Sequence, residues 1–489
     1  MRIMNFKHIC RAALIGCILF LGSCEDSLSE KLGSEARIMM SFKVTGANGK
    51  VFNSTINDED NTITIKVAPQ YNASEELAEA IPVFYLSKGA TVIPDPTEPQ
   101  NFAQEGGVKY TVTSEDKSTT KTYTVGWGIS DKLPEGAGFS YAEIGTMKSF
   151  PELGYPGAKG DFSLPSEQYG DLEMYHAYCG DYIVLLSRVY VKKGNLEHGI
   201  KVVDKNSLAP VGSLNLGSIN ADDLKMISSD YKGHCVGCVV KDDKTEFVYW
   251  TVPSNAPISV GTINVNMAPF TDDAANNFQI SGDITTKAWI TALAPRDNEG
   301  SHYRIKVSNG QLASDYSMIK TNYPSNDCNS FQMIAALDDS DEPAYIVGDG
   351  EGTPNAANSI HCYVNSFTGS TLSVMPKLWQ NTLQTWWVGT GFTVARDGGH
   401  SPIVSVLPIN GKTYTLVTSG TAWWHAAAVL DENLQELAHE NLNIAIDINR
   451  GWSYGAWADW YWDDEKSEAY LALWFGRVGL FTYKMTCFE

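Results

Sequence analysis

Gly180-Asp181-Tyr182-Ile183-Val184-Leu185-Leu186 reads as a glycine turn feeding a buried strand, and the phrase comes back along the chain. Its echoes are Gly233-His-Cys-Val-Gly-Cys-Val239, Ala288-Trp-Ile-Thr-Ala-Leu293, Phe331-Gln-Met-Ile-Ala-Ala-Leu337, Ser401-Pro-Ile-Val-Ser-Val-Leu407 and Gly455-Ala-Trp-Ala-Asp-Trp460. A tyrosine-bearing strand follows each of the later five: Phe247 to Trp250, His302 to Ile305, Ala344 to Val347, Thr413 to Leu416 and Ala469 to Ala472. A third echo pairs Val203-Asp204-Lys205-Asn206-Ser207-Leu208 with Leu430-Asp431-Glu432-Asn433-Leu434, each between two strands. From Gly180 to Gly455 is 275 residues over five steps, a mean of 55. A strand, Asp-x-Asn turn, strand unit suits the outer hairpin of a blade, and multi-strand repeats of about 40–55 residues mean a β-propeller. Six echoes predict six blades over residues 139–489. Seven is the alternative, because the interval from Phe331 to Ser401 is long. Phe139 to Met147 is expected to close the ring against the last blade, which removes free strand edges.

Upstream of the repeats, Leu133-Pro-Glu-Gly-Ala-Gly138 breaks the run of strands, so residues 130–138 read as a linker. Residues 32–129 alternate apolar and polar positions. In Thr62-Ile-Thr-Ile-Lys-Val67, Ile63, Ile65 and Val67 fall on one face and Thr62, Thr64 and Lys66 on the other. Roughly seven such strands in about 95 residues predict an immunoglobulin-like sandwich. The one helical piece runs from Glu75 to Ala80. The whole body is all-β: an Ig-like sandwich followed by a β-propeller.

The N-terminus has a basic start at Arg2 and Lys7, an apolar run from Ala12 to Leu21, and Leu21-Gly22-Ser23-Cys24. Those are the parts of a secretory signal over residues 1–23. The apolar run is too short to span a bilayer. The Leu-Gly-Ser-Cys ending resembles the lipobox of bacterial lipoproteins, which implies lipidation at Cys24. Residues 24–31 form an acidic tether, and Glu25-Asp26 resembles the surface-export tag of Bacteroidota lipoproteins. The polysaccharide-capturing members of that group also end an Ig-like module in a hairpin like Tyr110 to Val125.

Residues 1–23 carry Arg2, Lys7 and Arg11 and no acidic residue, so of 36 basic residues 33 remain against 57 acidic, a net of −24. That charge argues against nucleic acid and against binding anionic lipid through basic patches, leaving the lipid anchor as the only membrane contact. Six cysteines remain beyond Cys24, too few for a disulfide scaffold, and no pairing is assigned. Cys235-Val-Gly-Cys238 has redox or zinc spacing, but its apolar surroundings read as a strand with core cysteines.

Signals of familiar propeller enzymes are missing. Ser281-Gly-Asp283 matches only the start of a sialidase-type Asp-box and reads as a strand boundary. Asp204, Asp349, Asp397 and Asp459 are candidates for axial carboxylates, yet no spacing pairs them. No HExxH, no GxSxG and no phosphate loop occurs. No cofactor is expected. Ca²⁺ is an option at Asp338-Asp339-Ser340-Asp341-Glu342, with Asp349 and Glu351 beyond, although a solvated hairpin tip explains the same residues.

Ten of the 13 tryptophans lie between Trp379 and Trp474. Sugar rings stack their C–H faces on flat aromatic faces, and a concave site mixes such faces with polar groups. Trp386, Trp387, Trp423, Trp424, His425, Trp452 and Trp457 are therefore the candidate glycan-binding residues. Adjacent residues of a strand point to opposite faces, so one of each Trp pair also suits blade core.

The organisation as a whole resembles the surface glycan-binding lipoproteins of polysaccharide-utilisation systems. The resemblance implies an outer-membrane lipoprotein, exposed at the cell surface, that captures an oligo- or polysaccharide for a partner transporter. A propeller-fold glycosidase or lyase is the runner-up, and a protein-binding adhesin is third.

Overall fold

The computed structural model describes residues 35–69, 71–95, 97–155, 174–267, 278–294, 301–321, 333–351, 359–368, 371–373, 379–382, 403–420, 425–433, 456–475 and 479–488. The chain is β nearly throughout and divides into two compact units, one ending at Lys132 and taking in Phe488, the other running from Leu133 to Cys487. Among the described residues no helix is long and apolar enough to cross a membrane.

The N-terminal unit has seven strands, in the order Ile81–Leu86, Met39–Thr45, Val51–Asn57, Thr62–Val67, Thr120–Ile129, Val108–Thr113, Thr91–Ile93. All neighbours are antiparallel except Thr62–Val67 with Thr120–Ile129. Alternation decides the core: Ile63, Ile65 and Val67 are buried, and they meet Phe42, Phe102, Tyr110 and Tyr123. The seven strands make one hydrogen-bonded order, because Val51–Asn57 pairs with Met39–Thr45 on one side and Thr62–Val67 on the other. The helical piece is one short turn, Ala73–Glu76, whose N-cap Asn72 accepts from the Ser74 N–H at 3.2 Å.

The C-terminal unit is propeller-like and, among the described residues, has five sheets. The first holds Met174–Cys179, Tyr182–Ser187, Ile200–Asp204 and Pro210–Gly212, and the second Leu224–Ser229, Cys235–Lys241, Lys244–Trp250 and Ile258–Ile263. The third has ten strands between Phe278–Asp283 and Trp379–Thr382. The fourth holds Ile403–Ile409, Lys412–Gly420 and His425–Leu430, and the fifth Ala456–Asp463, Glu468–Phe475 and Gly479–Thr486. Five corrects the six expected from the repeats. The cause is a parallel contact, Lys320 with Thr371 and Thr321 with Leu372, which joins two strand groups into the single ten-stranded sheet. The fifth sheet gains its outer strand from Tyr141–Ser149, which lies antiparallel to Gly479–Thr486 and so ties the start of the unit to its end.

Turn chemistry accounts for the Asp-x-Asn echo. Asp204 Oδ1 accepts from the N–H groups of Asn206 at 3.1 Å and Ser207 at 2.8 Å, and Asp431 Oδ1 accepts from Asn433 N–H at 2.8 Å. An Asp side chain that binds the backbone two residues on replaces a main-chain turn contact. Backbone hydrogen bonds bring together the ends of the first strands of the first, second, third and fifth sheets, and these strand ends carry the described polar site.

Candidate functional site

The site is built around a five-residue loop, Asp230-Tyr231-Lys232-Gly233-His234, between the first two strands of the second sheet. Asp230 shapes it, with Oδ1 accepting from the N–H of Lys232 at 2.9 Å and of His234 at 2.8 Å. Gly233 has φ 77°, and a Cβ there would sit 2.8 Å from the Tyr461 ring, so only glycine suits the position. The loop bonds to three other sheets. Gly180 N–H donates to Gly233 O at 2.9 Å, Trp462 N–H to Tyr231 O at 2.9 Å, and Tyr231 N–H to Gly282 O at 3.0 Å.

Beside the loop lies a cavity of about 390 Å³, lined by Asp181, Lys232, Tyr461, Trp462, Asp463, Asp464, Glu465 and Lys466, with Gly180. Both lysines in its lining are paired. Lys466 reaches Asp463 at 3.1 Å and Asp181 at 3.5 Å, and Lys232 pairs with Asp464. Beneath them Lys205 is buried, with its ammonium 2.7 Å from Asp181 and 4.1 Å above the Tyr470 ring, and it donates to the Tyr461 hydroxyl. Burial lowers the Lys205 pKa, opposed by Asp181. The Lys205 hydrogen bond holds the Asp181 carboxyl below its ordinary value. Such a surface offers donors and acceptors to hydroxyl groups. It offers no stacking face, since Tyr461 is only 3% exposed and Trp462 only 8%.

At the same loop, Asp230, His234 and Asp283 converge. His234 Nδ1 lies 2.8 Å from Asp230 Oδ2 and 3.8 Å from Asp283 Oδ1. Asp230 Oδ2 also accepts from Ile284 N–H at 2.9 Å, which ties the loop to the turn after Phe278–Asp283. Burial opposes the charge on His234, but the hydrogen bond to Asp230 and the charges of Asp230 and Asp283 outweigh it and raise the pKa. Nothing in the sequence joins these residues beyond their turn positions; Asp283 is some fifty residues from Asp230.

The carboxylates suspected from sequence have separate roles. Asp204 caps a turn. Asp459 is buried, and its Oδ1 accepts from Ser229 N–H at 2.9 Å and Ser228 Oγ at 3.3 Å. Burial pushes its pKa well up, against those hydrogen bonds. Asp349 pairs in register with His361, and Asp397 lies outside the described residues. At the acidic tip Asp341 is bound to Lys306 at 2.9 Å and Lys287 at 3.5 Å, and Asp338 accepts from Ser340 N–H. Asp283 accepts from Thr285 N–H at 2.8 Å, as a strand boundary should. Cys235 and Cys238 are free, buried thiols, raised in pKa by burial.

Of the aromatic candidates, Trp386, Trp387, Trp423, Trp424 and Trp452 lie outside the described residues, and His425 begins the strand His425–Leu430. Trp457 is corrected: it is 1% exposed and packs edge-on against Tyr175 at 5.8 Å. Its strand is covered on both faces, with Trp460 and Trp462 also buried, so this tryptophan cluster is core.

Residues 39–126 match the family described as SGBP, N-terminal. SGBP denotes surface glycan-binding protein, and the match spans the strands of the N-terminal unit. No curated protein matches the chain. A DUF4623 family protein from Bacteroides eggerthii is 15% identical, with 92% of this chain and 98% of that one covered and a TM-score of 0.41. An alpha-L-arabinanase from Cellvibrio cellulosa is 13% identical, with 55% and 95% covered and a TM-score of 0.28. Both scores are below 0.5, and the fold rests on the strand pairings themselves.

Proposed function

We propose that this chain is a lipid-anchored outer-membrane protein, displayed at the cell surface, that binds an oligo- or polysaccharide and passes it to a partner transporter. The observation that carries the reading is the SGBP match over residues 39–126. The signal-like N-terminus, the lipobox-like Leu21 to Cys24 and the acidic tether support the anchored position. In this reading the N-terminal unit is an Ig-like spacer and the propeller-like unit holds the glycan. Trp386, Trp387, Trp423, Trp424, Trp452 and His425 are the proposed contacts; Trp457 is not among them. A net charge of −24 after removal of three basic residues from 36 against 57 acidic favours a neutral or cationic glycan.

Incubation of the purified protein with a panel of neutral, cationic and sulfated glycans tests this. Retention of a neutral or cationic glycan without new reducing or unsaturated ends is expected. New ends would make the protein an enzyme, and retention of none of the panel would end the reading. Cys24→Ala should release the protein from the membrane, and proteinase added to intact cells should remove the wild type.

A further inference from the structure

We propose that Asp230, His234 and Asp283 form a binding site for a first-row divalent cation of the zinc type. The inference does not depend on glycan binding. The three donor atoms, His234 Nδ1 and one oxygen from each carboxylate, all lie within 4.8 Å of one another. A tetrahedral ion with bonds of about 2.0–2.1 Å sets its ligands about 3.3 Å apart. The two separations from Nδ1, 2.8 and 3.8 Å, bracket that spacing.

The site is supported from outside as metal sites are. Asp230 has no exposed side-chain surface and is fixed by the N–H groups of Lys232, His234 and Ile284. Asp283 Oδ1 accepts from the Thr285 N–H and hydroxyl, which fixes the carboxylate at the strand end, and its side chain is 24% exposed. The nearby cation, Lys232, is drawn away to Asp464. Two carboxylates and a neutral imidazole balance a divalent charge, whereas a proton on His234 leaves one negative charge over. Three protein donors leave room for water. An imidazole donor favours zinc over calcium or magnesium. The ion would replace the direct contact between His234 and Asp230, and would bind the loop of the second sheet to the turn of the third.

The test is calorimetric titration of zinc into the full chain, purified without a histidine tag and stripped with EDTA. One ion per chain is expected, with a dissociation constant of about 10 μM or tighter near neutral pH. Binding should weaken as the solution is acidified, because protons compete for the imidazole and the carboxylates. A large excess of calcium should not displace it. His234→Gln and Asp283→Asn should each weaken binding at least about tenfold. The Asn variant keeps the acceptor for Thr285, so it reports on the ligand even where the Gln variant fails to fold. Absence of zinc binding in the wild type, an affinity that does not fall on acidification, or unchanged affinity in Asp283→Asn would overturn the assignment.

Discussion

Asp459→Asn should make the C-terminal unit more stable at neutral pH, and increasingly so as pH rises. The Asp459 carboxyl is buried on strand Ala456–Asp463, held by Ser229 N–H and Ser228 Oγ. Burial raises its pKa well above the ordinary value of 3.8, and the charge of Asp230 adds to the rise. Above 3.8 the unfolded chain has released this proton while the folded chain still holds it. Proton binding is then greater in the native state, so the stability present below the unfolded pKa is lost progressively as pH rises toward the folded one. While the two states differ in proton binding, the slope is about 1.4 kcal/mol per pH unit. Asparagine is nearly isosteric, keeps a carbonyl oxygen for Ser229 N–H and does not titrate. The stability gap between variant and wild type should therefore widen with pH at about that slope. Urea unfolding followed by tryptophan fluorescence, at several pH values and with EDTA present to exclude metal, measures it. A gap that stays flat with pH, or an Asn variant less stable than wild type at neutral pH, would refute the buried neutral carboxyl.

Two further substitutions separate packing from binding. Trp457→Ala should cost about 3–5 kcal/mol of stability, read from the unfolding midpoint, and leave glycan retention by the folded fraction unchanged. Gly233→Ala should cost about 2 kcal/mol or more, since the residue needs positive φ and its Cβ would strike the Tyr461 ring; an unchanged midpoint would mean the loop is free to move.

The sequence by itself determined the local structure. Alternation over Thr62–Val67 sets its buried face, because successive side chains of a strand point opposite ways. The Asp204 and Asp431 turns were legible because an Asp side chain reaches its own backbone two residues on. The closing strand before Met147 was legible from its place ahead of the repeats. The tertiary structure alone decided how many sheets result, since the pairing of Lys320 with Thr371 leaves no periodic trace in the sequence. It alone decided that Trp457 is core: the side chain's burial depends on what the neighbouring sheets bring against it, and a tryptophan reads the same whether its face is bare or covered. The meeting of Asp230, His234 and Asp283 belongs to the same class. Strand periodicity and turn chemistry act over a few residues and are written there, whereas burial and the convergence of charges arise from contacts between residues far apart in the chain.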